Sequence, residues 1–85
     1  MTHDGVEEKV ASIIATTLKK MRGLTIELTS DESLLKSGIL DSLSLVNVIK
    51  CLQSDFGIDI SSSDITPENF DTISAITQLI KLRAR

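Results

Sequence analysis

The sequence predicts an all-α domain: four helices, three long and a brief third, with a long loop after the first. Three observations carry this. Apolar residues recur at helical spacing in three separate stretches, each opened by a capping residue. Neither glycine nor proline interrupts the middle stretch between Gly38 and Gly57. The aliphatic residues carry nearly all of a 41% hydrophobic content, enough for one core in a chain of 85 residues.

The first helix is predicted over about residues 5–22. Asp4 and Glu7 form an N-terminal capping pair, and Glu8 adds negative charge to the first turn. Val6, Val10, Ile13, Ile14, Thr17, Leu18 and Met21 then share a face. Lys19, Lys20 and Arg22 crowd the last turn, where cations suit the negative helix end, and Gly23 supplies the stop. The connection from Leu24 to Leu40 is long for a compact domain, but it is not polar like an idle linker. Leu24, Ile26, Leu28, Leu34, Leu35, Ile39 and Leu40 are its apolar anchors, and a single helical turn, capped by Ser30 or Asp31 and ended by Gly38, fits the middle of it. The alternation in Leu24, Ile26 and Leu28, and again in Ile58 and Ile60, leaves a minor α+β alternative with two short paired strands.

The second helix is predicted from about Ser42 to Phe56. Asp41 and Ser42 both carry oxygens able to accept first-turn amides, so either is a candidate cap. Leu45, Val48, Ile49, Leu52 and Phe56 form its core stripe. Leu43 and Val46 lie off that stripe, beside Asn47 and Lys50, and two readings fit them: burial under a loop, or a docking surface for a partner. Cys51 is expected to pack as a small apolar side chain. After Gly57, Ile58-Asp59-Ile60 runs extended and Ser61 to Asp64 turns. Thr66-Pro67-Glu68 opens a short third helix near 64–70, and Asp71-Thr72 offers the cap of a fourth with the stripe Ile73, Ile76, Leu79, Ile80 and the cations Lys81, Arg83 and Arg85 at its end.

Composition excludes several classes. A net charge of −3 argues against a phosphate-backbone ligand. Phe56 and Phe70 are the only aromatics, too few for stacking on single-stranded nucleic acid. One cysteine makes no internal disulfide, the start is unlike a signal peptide, and no apolar run has membrane-spanning length, so a cytoplasmic chain is expected; a monomer is expected as well. Ser42 is flanked by Leu40 and Ser44 rather than by the glycines of a hydrolase elbow, and His3 is the lone histidine, so no catalytic residue is assigned. No His/Cys cluster suggests a metal.

Gly38-Ile39-Leu40-Asp41-Ser42-Leu43, opening an apolar helix in mid-chain, resembles the phosphopantetheine site of acyl and peptidyl carrier proteins. The resemblance runs from about Val6 to Leu82 and suits a stand-alone carrier occupying the whole of 1–85 as one domain. It implies a four-helix carrier bundle and a 4'-phosphopantetheine, derived from coenzyme A, on Ser42. Asp41 and Leu43 would be read by the attaching transferase, and an acyl, aminoacyl or peptidyl group would ride as a thioester. The implied partners are a phosphopantetheinyl transferase, an adenylating or acyl-loading enzyme, and downstream processing enzymes. Fatty-acid carriers have an acidic second helix, whereas here the only charges between Ser42 and Phe56 are Lys50 and Asp55. That departure inclines the resemblance toward peptide-synthetase and aminoacyl carriers of biosynthetic pathways, with docking through Leu43, Val46, Asn47 and Lys50. The reading from a different class is a helical interaction module without cofactor, in which Ser42 is only a helix cap.

Overall fold

The computed structural model describes residues 5–23, 25, 29 and 31–84. Four α-helices follow one another: α1 (Gly5–Arg22), α2 (Ser42–Phe56), α3 (Pro67–Phe70) and α4 (Ile73–Arg83), with a 3-10 turn at Ser62–Asp64 ahead of α3. Among the described residues there is no strand. The helices form a small bundle in which α1 packs against both α2 and α4, and α3 packs against α4. The Asp4 cap, the Ser30 cap, the Leu24, Ile26 and Leu28 anchors, His3 and Arg85 lie outside the described residues.

The predicted stripes meet in one core. Val10, Ile13, Ile14 and Leu18 of α1 join Val48, Ile49 and Leu52 of α2 and Ile73, Ile76, Leu79 and Ile80 of α4. Phe70 of α3 joins this core as a fully buried ring. Leu45 and Phe56, at the ends of the α2 stripe, are only partly buried, and Lys9 Nζ stands 5.1 Å from the centre of the Phe56 ring. Two threonines enter the core because each hydroxyl bonds back along its own helix: Thr17 to the Ile13 carbonyl and Thr77 to the Ile73 carbonyl, both at 2.8 Å.

The long loop is laid across the bundle by its apolar anchors: Leu34 and Leu40 are buried, Leu35 and Ile39 partly so. The helical turn expected there is a hydrogen-bonded turn rather than a helix. Its capping oxygen belongs to Ser33, which accepts the Lys36 amide at 3.1 Å, and not to Asp31. Asp71, a candidate helix cap by sequence, is used elsewhere. Its carboxylate accepts the Ser33 hydroxyl at 2.6 Å and the Leu35 amide at 3.2 Å, and its carbonyl accepts the Leu34 amide, so the junction of α3 and α4 fastens the loop. Thr72 caps α4 instead, accepting the Ala75 amide at 3.0 Å.

Ile58 to Ile60 runs extended but pairs with no strand among the described residues; the Ile60 amide donates to Gln53 Oε1 at 2.9 Å. Beyond it, Asp64 is 7% exposed and receives both Nε and Nη2 of Arg83, which ties the 3-10 turn to the end of α4. The expectation for Cys51 is overturned. Its position on α2 falls beside the core stripe, and the side chain is exposed at the edge of a shallow groove with Ser12, Thr16, Lys20 and Asp55.

Candidate functional site

The candidate site is the start of α2 and the loop that delivers it. Gly38 adopts φ +80°, a left-handed conformation that other residues take at a cost, and turns the chain after the Leu35 carbonyl accepts its amide. The Leu40 amide then bonds the Leu34 carbonyl at 2.9 Å, and Leu40 is buried, which fixes the step just ahead of Asp41. From α1, Arg22 Nη1 donates to the carbonyls of Gly38 and Ile39 at 2.9 and 3.0 Å.

Asp41 is the cap. Its backbone is extended, and its Oδ1 accepts the Ser44 amide at 2.8 Å, while its carbonyl accepts the Leu45 amide. The hydrogen bond from the Ser44 amide holds the Asp41 carboxyl below the ordinary carboxylate range, and the Ser44 hydroxyl dipole and the charge of Arg22 add to it. Sequence left the cap open between Asp41 and Ser42, and the geometry assigns it to Asp41. Ser42 is therefore the first residue of the helix proper, exposed, with its hydroxyl not spent on capping. Helix geometry leaves the amides of Ser42 and Leu43 without intrahelical acceptors, and the first turn of α2 holds no acidic residue. That turn is suited to a phosphate.

Two side chains near Ser42 were not singled out by sequence. Ser44 is only 1% exposed, and its Oγ has no hydrogen-bond partner among the described residues, although its dipole still acts on the neighbouring Asp41 carboxylate. A signal for its burial was present, since Ser44, Val48 and Leu52 repeat at every fourth position on the core side. Arg22 carried no such signal, because its partners are 16 and 17 residues away.

The proposed docking residues share one face of α2. Leu43 is 65% exposed and Val46 47%, so neither is buried under the loop. Asn47 lies one turn beyond Leu43 and donates from Nδ2 to the Leu43 carbonyl at 3.0 Å, and Lys50 is exposed one turn after Val46.

Residues 8–80 match the family model described as a phosphopantetheine attachment site. The chain belongs to this family of carrier proteins. Similar curated relatives are the acyl carrier proteins of Rickettsia canadensis (strain McKiel) and Rickettsia rickettsii (strain Iowa), each 30% identical over 82 residues, which span 96% of this chain and 90% of theirs. In fold the carrier protein is similar to chains in two crystal structures of Bradyrhizobium japonicum glycine:[carrier protein] ligase. One holds the ligase with glycylated carrier protein; its matching chain is 24% identical with a TM-score of 0.78, covering 89% of this chain and 99% of that one. The other holds the ligase with its cognate carrier protein and an analogue of glycyl adenylate; there the match is 22% identical with a TM-score of 0.82, covering 94% and 100%.

The carrier protein's cofactor is a covalently attached 4'-phosphopantetheine. The residues at the start of α2 fit such a group: an exposed hydroxyl at the first helical position and first-turn amides open toward a phosphate. No described helix is long and apolar enough to cross a membrane.

Proposed function

We propose that Ser42 is the attachment residue, and that the chain holds an acyl or aminoacyl group on the attached arm and presents it to partner enzymes. The observation that carries this reading is the division of labour at α2: Asp41 does the capping and Ser42 presents a hydroxyl to solvent. In attachment, Ser42 Oγ forms a bond to the phosphorus that bears the pantetheine in coenzyme A. The bond from that phosphorus to the adenosine portion breaks, adenosine 3',5'-bisphosphate leaves, and the hydroxyl proton passes to a base of the transferase. Once bound, the cofactor supplies a terminal thiol on which the cargo is a thioester.

Asp41 and Leu43 flank Ser42 and are the residues the transferase reads. The face of Leu43, Val46, Asn47 and Lys50 receives the partners in turn: the transferase, an adenylating or acyl-loading enzyme, and the enzymes that process the cargo. With Lys50 and Asp55 the only charges on α2, recognition on this face depends on apolar contact more than on steering charge. Sparse charge on α2 favours an aminoacyl or peptide-synthetase-like biosynthetic setting, and the glycylated carrier of the Bradyrhizobium japonicum complex offers one precedent for such cargo on this fold. In either setting the chain acts as a substrate of its pathway and not as its catalyst.

Intact mass after incubation with coenzyme A and a broad-specificity phosphopantetheinyl transferase tests the attachment. The parent should gain one phosphopantetheine and Ser42→Ala none. A gain that persists in Ser42→Ala would move the attachment elsewhere. No gain in folded parent, with more than one transferase, would leave a helical interaction module as the reading to pursue.

A further inference from the structure

We infer that Arg22 is a positioning residue for modification at Ser42, acting through the loop that leads into α2; the inference rests on the attachment reading above. Arg22 is the last residue of α1 and is exposed, so it contributes nothing to the core. Its Nη1 holds two successive carbonyls, those of Gly38 and Ile39, at 2.9 and 3.0 Å. The planar guanidinium suits this task, since one terminal nitrogen carries two hydrogens in fixed directions.

The position of this clamp gives it consequence. Two side chains from other elements hold the described loop by hydrogen bonds: Asp71 at Ser33 and Leu35, and Arg22 at Gly38 and Ile39. Between those points Lys36 and Ser37 are exposed. Asp71 therefore holds the middle of the loop, and Arg22 holds the end that joins Leu40, Asp41 and Ser42. The same cation acts on the Asp41 carboxylate, behind the hydrogen bond from the Ser44 amide, and so offsets the negative charge nearest to where a phosphate must be placed.

A transferase must accept Ser42 in one orientation. If the approach loop samples other conformations, the fraction of carrier competent to bind falls, and the apparent KM for the carrier rises by the inverse of that fraction. The bond-making step takes place among the transferase's own groups, so kcat is retained. Helix-end electrostatics alone would not single out Arg22, because Lys19 and Lys20 share the last turn of α1.

Steady-state rates of phosphopantetheine transfer from coenzyme A, measured against concentration of the apo carrier, test this in the parent, Arg22→Ala, Arg22→Lys and Lys19→Ala, with circular dichroism of each at the assay temperature. Arg22→Ala should raise KM for the carrier about tenfold and leave kcat within about twofold. Arg22→Lys keeps the charge and donors without the rigid fork, and should recover KM to within about threefold of the parent. Lys19→Ala should match the parent. An Arg22→Ala KM within about twofold of the parent would overturn the inference. So would an equal rise in Lys19→Ala, which would point to net charge, or loss of the folded signal in Arg22→Ala, which would make Arg22 a stability residue. Failure of the parent itself to take up phosphopantetheine would instead overturn the attachment reading.

Discussion

At the scale of single residues, Asp41 and Ser44 are coupled across the first turn of α2. The Ser44 amide completes the cap on Asp41, while the Ser44 side chain is buried and its hydroxyl has no partner among the described residues. A buried hydroxyl without a partner costs about 1–3 kcal/mol, and alanine is also the better helix former. Ser44→Ala should therefore raise the stability of the apo chain by about 1 kcal/mol, read from the urea midpoint at an unchanged m-value. A loss of stability would mean that the hydroxyl has a bonded partner in solution. Much of this site was legible in the sequence. Local chemistry nominated Asp41 and Ser42, and glycine at position 38 marked the turn before them. What could not be read was which of the two oxygens caps, because the choice depends on the backbone angles at Asp41, and these are set by the loop behind it.

At the scale of elements, α2 has a buried face and an exposed face proposed for docking, and substitution separates them. Leu52 is fully buried, and Leu52→Ala should cost about 2–5 kcal/mol. Val46→Asp lies on the exposed face and should leave the melting temperature near the parent's while lowering the rate of phosphopantetheine or acyl transfer. Unfolding by Val46→Asp would make Val46 a core residue and remove the docking proposal. The loop after α1 is the other element with a specific test. Asp71→Ala removes the carboxylate that accepts the Leu35 amide but keeps the carbonyl that accepts the Leu34 amide. Hydrogen exchange in this variant should accelerate at Leu35 well beyond Leu34; equal acceleration would mean that the loop detaches as a unit. The apolar anchors of this loop were plain from sequence, whereas its polar fastenings were not. Leucines advertise burial by themselves, but Asp71 reads as a helix cap until the chain 36 and 38 residues before it is in place.

At the scale of the whole molecule, three carboxylates lie below the ordinary carboxylate range: Asp41 through Ser44 of its own helix and, joining distant parts of the chain, Asp64 through Arg83 and Asp71 through Ser33. A carboxylate whose folded pKa is depressed contributes stability that is fully present above its unfolded value, and that stability is lost as pH falls through the folded value. The melting temperature should accordingly be level with respect to these three groups from about pH 7 to pH 5, and fall once the pH drops below about 4. Asp64→Asn should lower the melting temperature at pH 7 and flatten the acid limb, because Arg83 then faces a neutral amide. An acid limb as steep as the parent's would assign it to other groups. Arg83 and Asp64 stand 19 residues apart, and neither pattern nor spacing singled them out as partners.

By itself the sequence determined the helices, their stops and the placing of Ser42 at a helix start. These follow from contacts within a few residues: the 3.6-residue period, a capping oxygen three residues from its amide, and glycine where the chain must turn. Tertiary structure alone decided the rest. It moved Cys51 to the surface, turned Leu43 and Val46 outward, and gave Arg22, Asp71 and Arg83 their acceptors and donors. The physical reason is range: a polar side chain can bond with many groups, and only the packed bundle brings one of them within 3 Å or so.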